Sequence, residues 1–101
     1  MSKQFVIQAR TAGNDGERVP LGSRAEIVES LARCNTMAEI VDGDELWGPG
    51  IRIELPPNED PVCQMVLIIV EEEIAWLPIV TLAKQFDWSV MDIETGRELK
   101  P

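Results

Sequence analysis

The chain contains no histidine, no tyrosine and only two cysteines. Without histidine, the usual Ser–His and Cys–His nucleophile pairs and most zinc sites are excluded. Cys34 and Cys63 do not form a CxxC pair. We interpret them as small buried hydrophobic residues in a reducing compartment. The sequence therefore predicts a non-enzymatic protein with no metal and no cofactor.

Long apolar runs and basic residues are also scarce. The longest uninterrupted apolar run, Met65 to Val70, is far shorter than the ~20 residues that span a bilayer. The N-terminus lacks the pattern of a secretory signal, so we expect a cytoplasmic protein. Nine Lys and Arg stand against 18 Asp and Glu, which gives a net charge of −9. Because nucleic acids and anionic membranes attract cations, we expect neither as a partner, and we expect any protein partner to be basic.

The segment from 63 to 93 organises the predicted fold. Its letters CQMVLIIV predict a buried central strand, EEEIAWLPIVTLAKQF a helix, and DWSVMDI a final strand. We favour one kinked helix over Glu72 to Phe86, and a helix that starts near Leu77 with Pro78 at its first position is the alternative. The inward stripe of this helix is expected to contain Ile74, Leu77, Ala83 and Phe86.

Shorter signals assign the N-terminal part of the chain. Alternating apolar residues predict a strand over Gln4 to Ala9, and the turn-rich segment Thr11 to Gly22 is either a loop or a hairpin. The letters SRAE, which begin at Ser23, form a capping box. They predict a helix over Arg24 to Cys34 with Asn35 as its C-cap.

The middle of the chain completes the predicted sheet. We expect strands over Thr36 to Val41 and over Ile51 to Leu55. The segment Asp42 to Gly50 is expected to be a loop, because its Gly-Pro-Gly end interrupts regular structure. The first strand or the Ile51 to Leu55 strand is expected to form a sheet edge that could pair in a homodimer.

These elements predict a single α+β domain over residues 1–101. Its order is β-α-β-β-β-α-β. If the helical crossovers join parallel strands, both helices lie on one face of a mixed sheet. The predicted architecture is a two-layer α/β sandwich, a variant of the ferredoxin-like arrangement.

The candidate interaction surface lies in the acidic loop and consists of Asp42, Asp44, Glu45 and Trp47. Tryptophan is a frequent binding anchor, although it also often covers the edge of a core. The acids lack the complete oxygen set of a calcium loop. The run Glu71 to Glu73 is explained by the positive end of a helix.

The favoured function is a protein-interaction module of the inhibitor or immunity type that presents an acidic surface to a basic protein. The alternative is a regulatory domain that binds a small ligand as a homodimer. The sequence does not choose between a monomer and a homodimer.

Overall fold

The computed structural model describes residues 3–9, 19–40, 43–86 and 88–98. The protein is α+β, and its described elements follow the predicted order. They are β1 (Gln4–Ala9), α1 (Arg24–Ala32), β2 (Glu45–Gly48), β3 (Ile51–Glu54), β4 (Gln64–Ile69), α2 (Glu72–Phe86) and β5 (Trp88–Asp92).

Within the described residues, five strands form one sheet in the order β2-β3-β4-β1-β5. Every neighbouring pair is antiparallel, so the prediction of a mixed sheet is wrong. The reason is that β1 lies between β4 and β5, so the α2 crossover joins strands that are not neighbours. The strand order also differs from that of a classic ferredoxin-like fold.

The apolar run that follows Cys63 forms the centre of this sheet, as predicted. Its strand β4 is the third of the five described strands, between β1 and β3. Met65, Leu67 and Ile69 alternate along β4 and are all buried. Because side chains alternate between the two faces of a strand, this face of β4 belongs to the core. Buried residues from neighbouring strands lie in register with it: Phe5, Ile7, Ile51 and Ile53.

The second strand lies further along the chain than predicted. In the described part of the predicted strand Thr36 to Val41, Met37 forms only an isolated bridge with Trp47. The strand β2 instead occupies the segment that was predicted to be a loop. The physical reason is that Pro49 and Gly50 form a two-residue hairpin turn, in which Gly50 adopts a φ of 73°. A fixed proline φ followed by a positive glycine φ suits such a turn and leaves the flanking residues free to pair.

The first helix begins as predicted and ends earlier. The Ser23 hydroxyl accepts a hydrogen bond from the Glu26 amide, which confirms the N-cap. The helix ends at Ala32 with Arg33 as its C-cap, so the predicted end at Cys34 is two residues too late. Asn35 follows in the left-handed region with a φ of 59° and so is not the C-cap itself.

The second helix is one element with Pro78 inside it, as favoured from the sequence. Its predicted inward stripe is partly wrong, because Ile74 is 48% exposed and Leu77 is 77% exposed. The residues that are buried on this helix are Ala75, Ile79, Leu82 and Ala83. Both stripes contain apolar residues at helical spacing, so the periodicity alone did not distinguish the inner face from the outer one.

The strands predicted to be sheet edges are internal, since β1 and β3 each have a neighbour on both sides. Neither strand therefore offers a free edge through which a homodimer could pair. The outermost described strands are β2 and β5, and each meets one bridging residue, Met37 on β2 and Glu98 on β5. Most of the segment Thr11 to Gly22, predicted to be a loop or a hairpin, lies outside the described residues. In its described part, Gly22 forms an isolated bridge with Val62.

Candidate functional site

Trp47 lies on β2 and faces away from the core. Its neighbour Leu46 is completely buried, and alternation along the strand turns the indole to the opposite face, where it is 36% exposed. The Arg52 guanidinium lies 5.4 Å from the centre of the indole ring. Arg52 also pairs with Glu54 at 3.1 Å. This cation–π contact holds one side of the ring in place and leaves Trp47 at the surface.

Two further apolar side chains are exposed in the segment that leads to Trp47. Met37 is 53% exposed and Ile40 is 75% exposed. Met37 is fixed beside Trp47 by two backbone hydrogen bonds of 3.0 and 2.8 Å. We call Met37, Ile40 and Trp47 the Trp47 patch. An open groove of about 370 Å³ is lined by Glu39, Ile40, Gly43, Asp44, Glu45 and Trp47.

The acidic residues that border this groove have different surroundings. Asp44 accepts a charge-assisted hydrogen bond from the Arg24 guanidinium, so its charge is already paired. Glu45 is exposed and stands directly opposite Glu54 across the β2–β3 pair. Glu54 is already paired with Arg52, so a cation from outside the chain would be attracted mainly by the exposed Glu45. Asp42, the remaining predicted acid, lies outside the described residues.

Hydrogen bonds of Arg24 connect the groove to the start of α1. Its guanidinium donates to the carbonyl oxygens of Pro56 at 3.3 Å and Gly43 at 3.5 Å, in addition to the Asp44 carboxylate. Its backbone amide donates to Asp60 at 3.1 Å. One side chain thus joins the helix, the turn before β4 and the loop before β2. The position of Asp44, and with it the wall of the groove, depends on this junction.

A second cavity of about 500 Å³ lies beside α1. Its apolar lining comes from small residues, Ala25, Val28, Ala32 and Ala38. Arg24, Glu29 and Asp60 supply polar groups around it, with Gly43 completing the lining.

The remaining chemical candidates are not gathered into a site. No group of His, Cys, Asp or Glu suited to a metal ion occurs in the described ranges. Cys34 and Cys63 are free thiols and are each half-buried, so they are less enclosed than predicted. Glu72 and Glu73 lie in the first turn of α2, where the helix dipole favours them. In the part of the chain that the structure describes, no helix has the length and apolar character needed to cross a membrane.

The structure thus keeps Asp44, Glu45 and Trp47 together and adds Met37 and Ile40, which the sequence analysis missed. Both were assigned to a predicted strand, where their exposure was not considered. The signal that was available is the isolated apolar residues of TMAEIV, which precede an acidic segment and lack a strict alternation.

No family model, no curated protein and no solved structure matches this chain.

Proposed function

We propose that the protein is a non-enzymatic interaction module of the cytoplasm that binds a basic protein through the Trp47 patch. The observation that carries this proposal is the grouping of three exposed apolar side chains in and beside one groove bordered by carboxylates. Single exposed apolar residues are normal on protein surfaces, but contiguous ones with a polar rim mark binding surfaces. Tryptophan is also among the residues that contribute most to binding energy when buried at an interface.

The net negative charge of the chain favours a basic partner protein over an acidic one. A net charge of −9 repels acidic proteins and accelerates the encounter with basic ones. Glu39 and Glu45 are exposed at the groove and would meet lysine or arginine side chains around the apolar contact. An inhibitor or immunity role is one form that such an interaction takes.

We also propose that α1 and α2 cover the same face of the sheet, which makes the fold a two-layer sandwich. The support is that Ile27 and Leu31 of α1 and Ile79 of α2 belong to one hydrophobic cluster with Phe5 and Leu67 of the sheet. Under this arrangement neither of the two described helices covers the opposite face, which carries Trp47. The Trp47 patch would then be accessible to a partner.

The test is a comparison of proteins captured from a lysate by the wild-type chain and by two surface variants. Ile40→Ser alters the patch, and Ile93→Ser is its control, because Ile93 is 47% exposed and lies outside the patch. The proposal predicts a basic protein that the wild type and the Ile93→Ser variant retain at moderate salt and the Ile40→Ser variant loses. A partner retained equally by all three proteins would contradict it.

The second function that we propose is that of a regulatory domain that binds a small metabolite as a homodimer, and the cavity beside α1 supports the metabolite-binding part. Its volume of about 500 Å³ falls within the range of small-molecule sites, and its mixture of apolar lining and few polar groups is typical of them. A thermal-shift screen of metabolites checks this function. A Val28→Trp variant, which would fill the cavity, should abolish any shift that the wild type shows.

A further inference from the structure

The first half of α2 carries apolar residues around its whole circumference. Ala75 and Ile79 face the core and are buried, while Ile74 and Leu77 on the other side are 48% and 77% exposed. Val70, just before the helix, is 53% exposed. A helix that is hydrophobic all round is normally buried on all sides. The outer side of α2 therefore has the composition of a contact surface and lacks a covering element among the described residues.

This outer surface, which we call the Leu77 face, consists of Val70, Ile74 and Leu77. The turn of the β2–β3 hairpin holds its first part in place. The carbonyl oxygen of Gly50 accepts hydrogen bonds from the amides of Val70 at 2.8 Å and Glu71 at 3.1 Å. A Cβ on Gly50 would lie only 2.7 Å from the side chain of Ile74. The surface is thus already ordered, so a partner would not have to supply the free energy of ordering it.

The negative charges beside the Leu77 face determine which kind of partner can cover it. Glu71, Glu72 and Glu73 are exposed beside it, and no ion pair joins them to a cation within the described ranges. A second copy of this chain would bring a second set of three carboxylates against the first, which is unfavourable where the surrounding apolar contact excludes water. A partner with lysine or arginine next to its apolar residues would instead gain from the same carboxylates.

The spacing of the apolar residues indicates the shape of the partner. Ile74 and Leu77 are three residues apart on one helix, so they form a ridge along its surface. Ridges of this kind pack into the grooves between side chains of another helix. We propose that the Leu77 face docks a basic amphipathic helix of a partner protein, at a surface separate from the Trp47 patch.

The experiment uses a synthetic amphipathic helical peptide composed of leucine and lysine as the probe. Its control is the same peptide with glutamate in place of lysine. Two-dimensional NMR of the isotope-labelled protein locates the contact and gives the Kd. The proposal predicts that the lysine peptide shifts the amide signals of residues 70–77 and that the glutamate peptide does not.

Variants then distinguish binding at the Leu77 face from binding at the Trp47 patch. Leu77→Ser should raise the Kd by about 10-fold or more, because the burial of a mostly exposed leucine on binding would no longer contribute to the affinity. Ile93→Ser and Trp47→Ala should leave the Kd unchanged. Signal changes centred on Met37 to Trp47, equal binding by Leu77→Ser, or a dimer in sedimentation equilibrium that Leu77→Ser abolishes would each overturn the proposal. Those results would leave the separate proposal for the Trp47 patch standing.

Discussion

Replacement of Gly50 by alanine tests how closely the hairpin turn packs against α2. Gly50 has a φ of 73°, in the left-handed region that non-glycine residues avoid. An added Cβ would lie 2.7 Å from the Glu71 carbonyl oxygen and 3.0 Å from the Ala75 amide nitrogen. Both are backbone atoms, so no side-chain rotation relieves the overlap. The hairpin or the start of the helix would have to move.

Gly96 is the matched control for this substitution. Its φ of 70° is nearly the same, but an added Cβ there meets nothing within 4 Å. The left-handed conformation alone costs alanine roughly 1–2 kcal/mol, and the lower entropy of the unfolded alanine chain offsets about 0.4–1 kcal/mol of this. We therefore expect Gly96→Ala to lose about 1 kcal/mol of unfolding free energy.

Gly50→Ala carries the same conformational cost and a steric cost besides. Overpacking in a region that cannot adjust typically costs about 1–3 kcal/mol. We expect a total loss of about 2–4 kcal/mol, which corresponds to a melting temperature lower by roughly 10 °C than that of Gly96→Ala in a domain of this size. Urea unfolding of the two variants measures the difference. Equal losses for Gly50→Ala and Gly96→Ala would refute the close contact between the turn and α2.

Three further predictions concern the core, the Arg24 junction and the helix cap. Leu67→Ala, at a completely buried position, should lower the unfolding free energy by about 2–5 kcal/mol, while Leu77→Ala, at an exposed position, should change it by less than about 0.5 kcal/mol. Similar losses for the two variants in urea unfolding would refute the assignment of Leu67 to the core and of Leu77 to the surface. Arg24→Met keeps much of the apolar stem and removes the hydrogen bonds to Pro56, Gly43 and Asp44, so we expect a loss of about 1–2 kcal/mol of unfolding free energy. The loss should shrink with added salt, since the Arg24 and Asp44 side chains are 23% and 45% exposed; a stability equal to the wild type at every salt concentration would contradict this. Ser23→Ala should cost about 1 kcal/mol by leaving the Glu26 amide without its acceptor, and Ser23→Gly only a few tenths; thermal unfolding checks the order of the two.

The sequence predicted the elements that have strong local signals. The unbroken apolar run after Cys63 identified the central strand, because its short length and its β-branched residues favour a strand in the interior of a sheet over a buried helix. The capping residue Ser23 identified the first residue of α1. Three acidic residues before an apolar run, together with the favourable dipole at a helix start, identified the beginning of α2.

The errors arose where a local signal has two structural meanings. Pro49 and Gly50 indicate an interruption, but a hairpin turn interrupts the chain for only two residues, so the strand before it was taken for a loop. The outer side of α2 was assigned to the core because Ile74 and Leu77 are as apolar as the residues that are buried. The direction of strand pairing depends on contacts between distant segments, which a single sequence does not contain.

Part of the candidate site was predictable because some of its residues are close together in the sequence. Asp44, Glu45 and Trp47 are close in the sequence, so their proximity follows from the chain itself. The contribution of Met37 depends on its bridge to Trp47 across the loop between them, and the exposure of Ile40 depends on the bend in that loop. The lack of strict alternation in TMAEIV argues against a buried strand there, but it specifies neither the bridge of Met37 nor the exposure of Ile40.

The most direct test of the proposed function places a photo-crosslinking amino acid at Ile40 of the intact protein in living cells, and at Ile93 as the control. Both side chains are exposed, at 75% and 47%, but only Ile40 belongs to the Trp47 patch. The proposal predicts a crosslink from position 40 to a protein with a basic isoelectric point, lost when Trp47→Ala is added and absent from position 93. Crosslinks of equal yield at the two positions, or none from position 40, would contradict it.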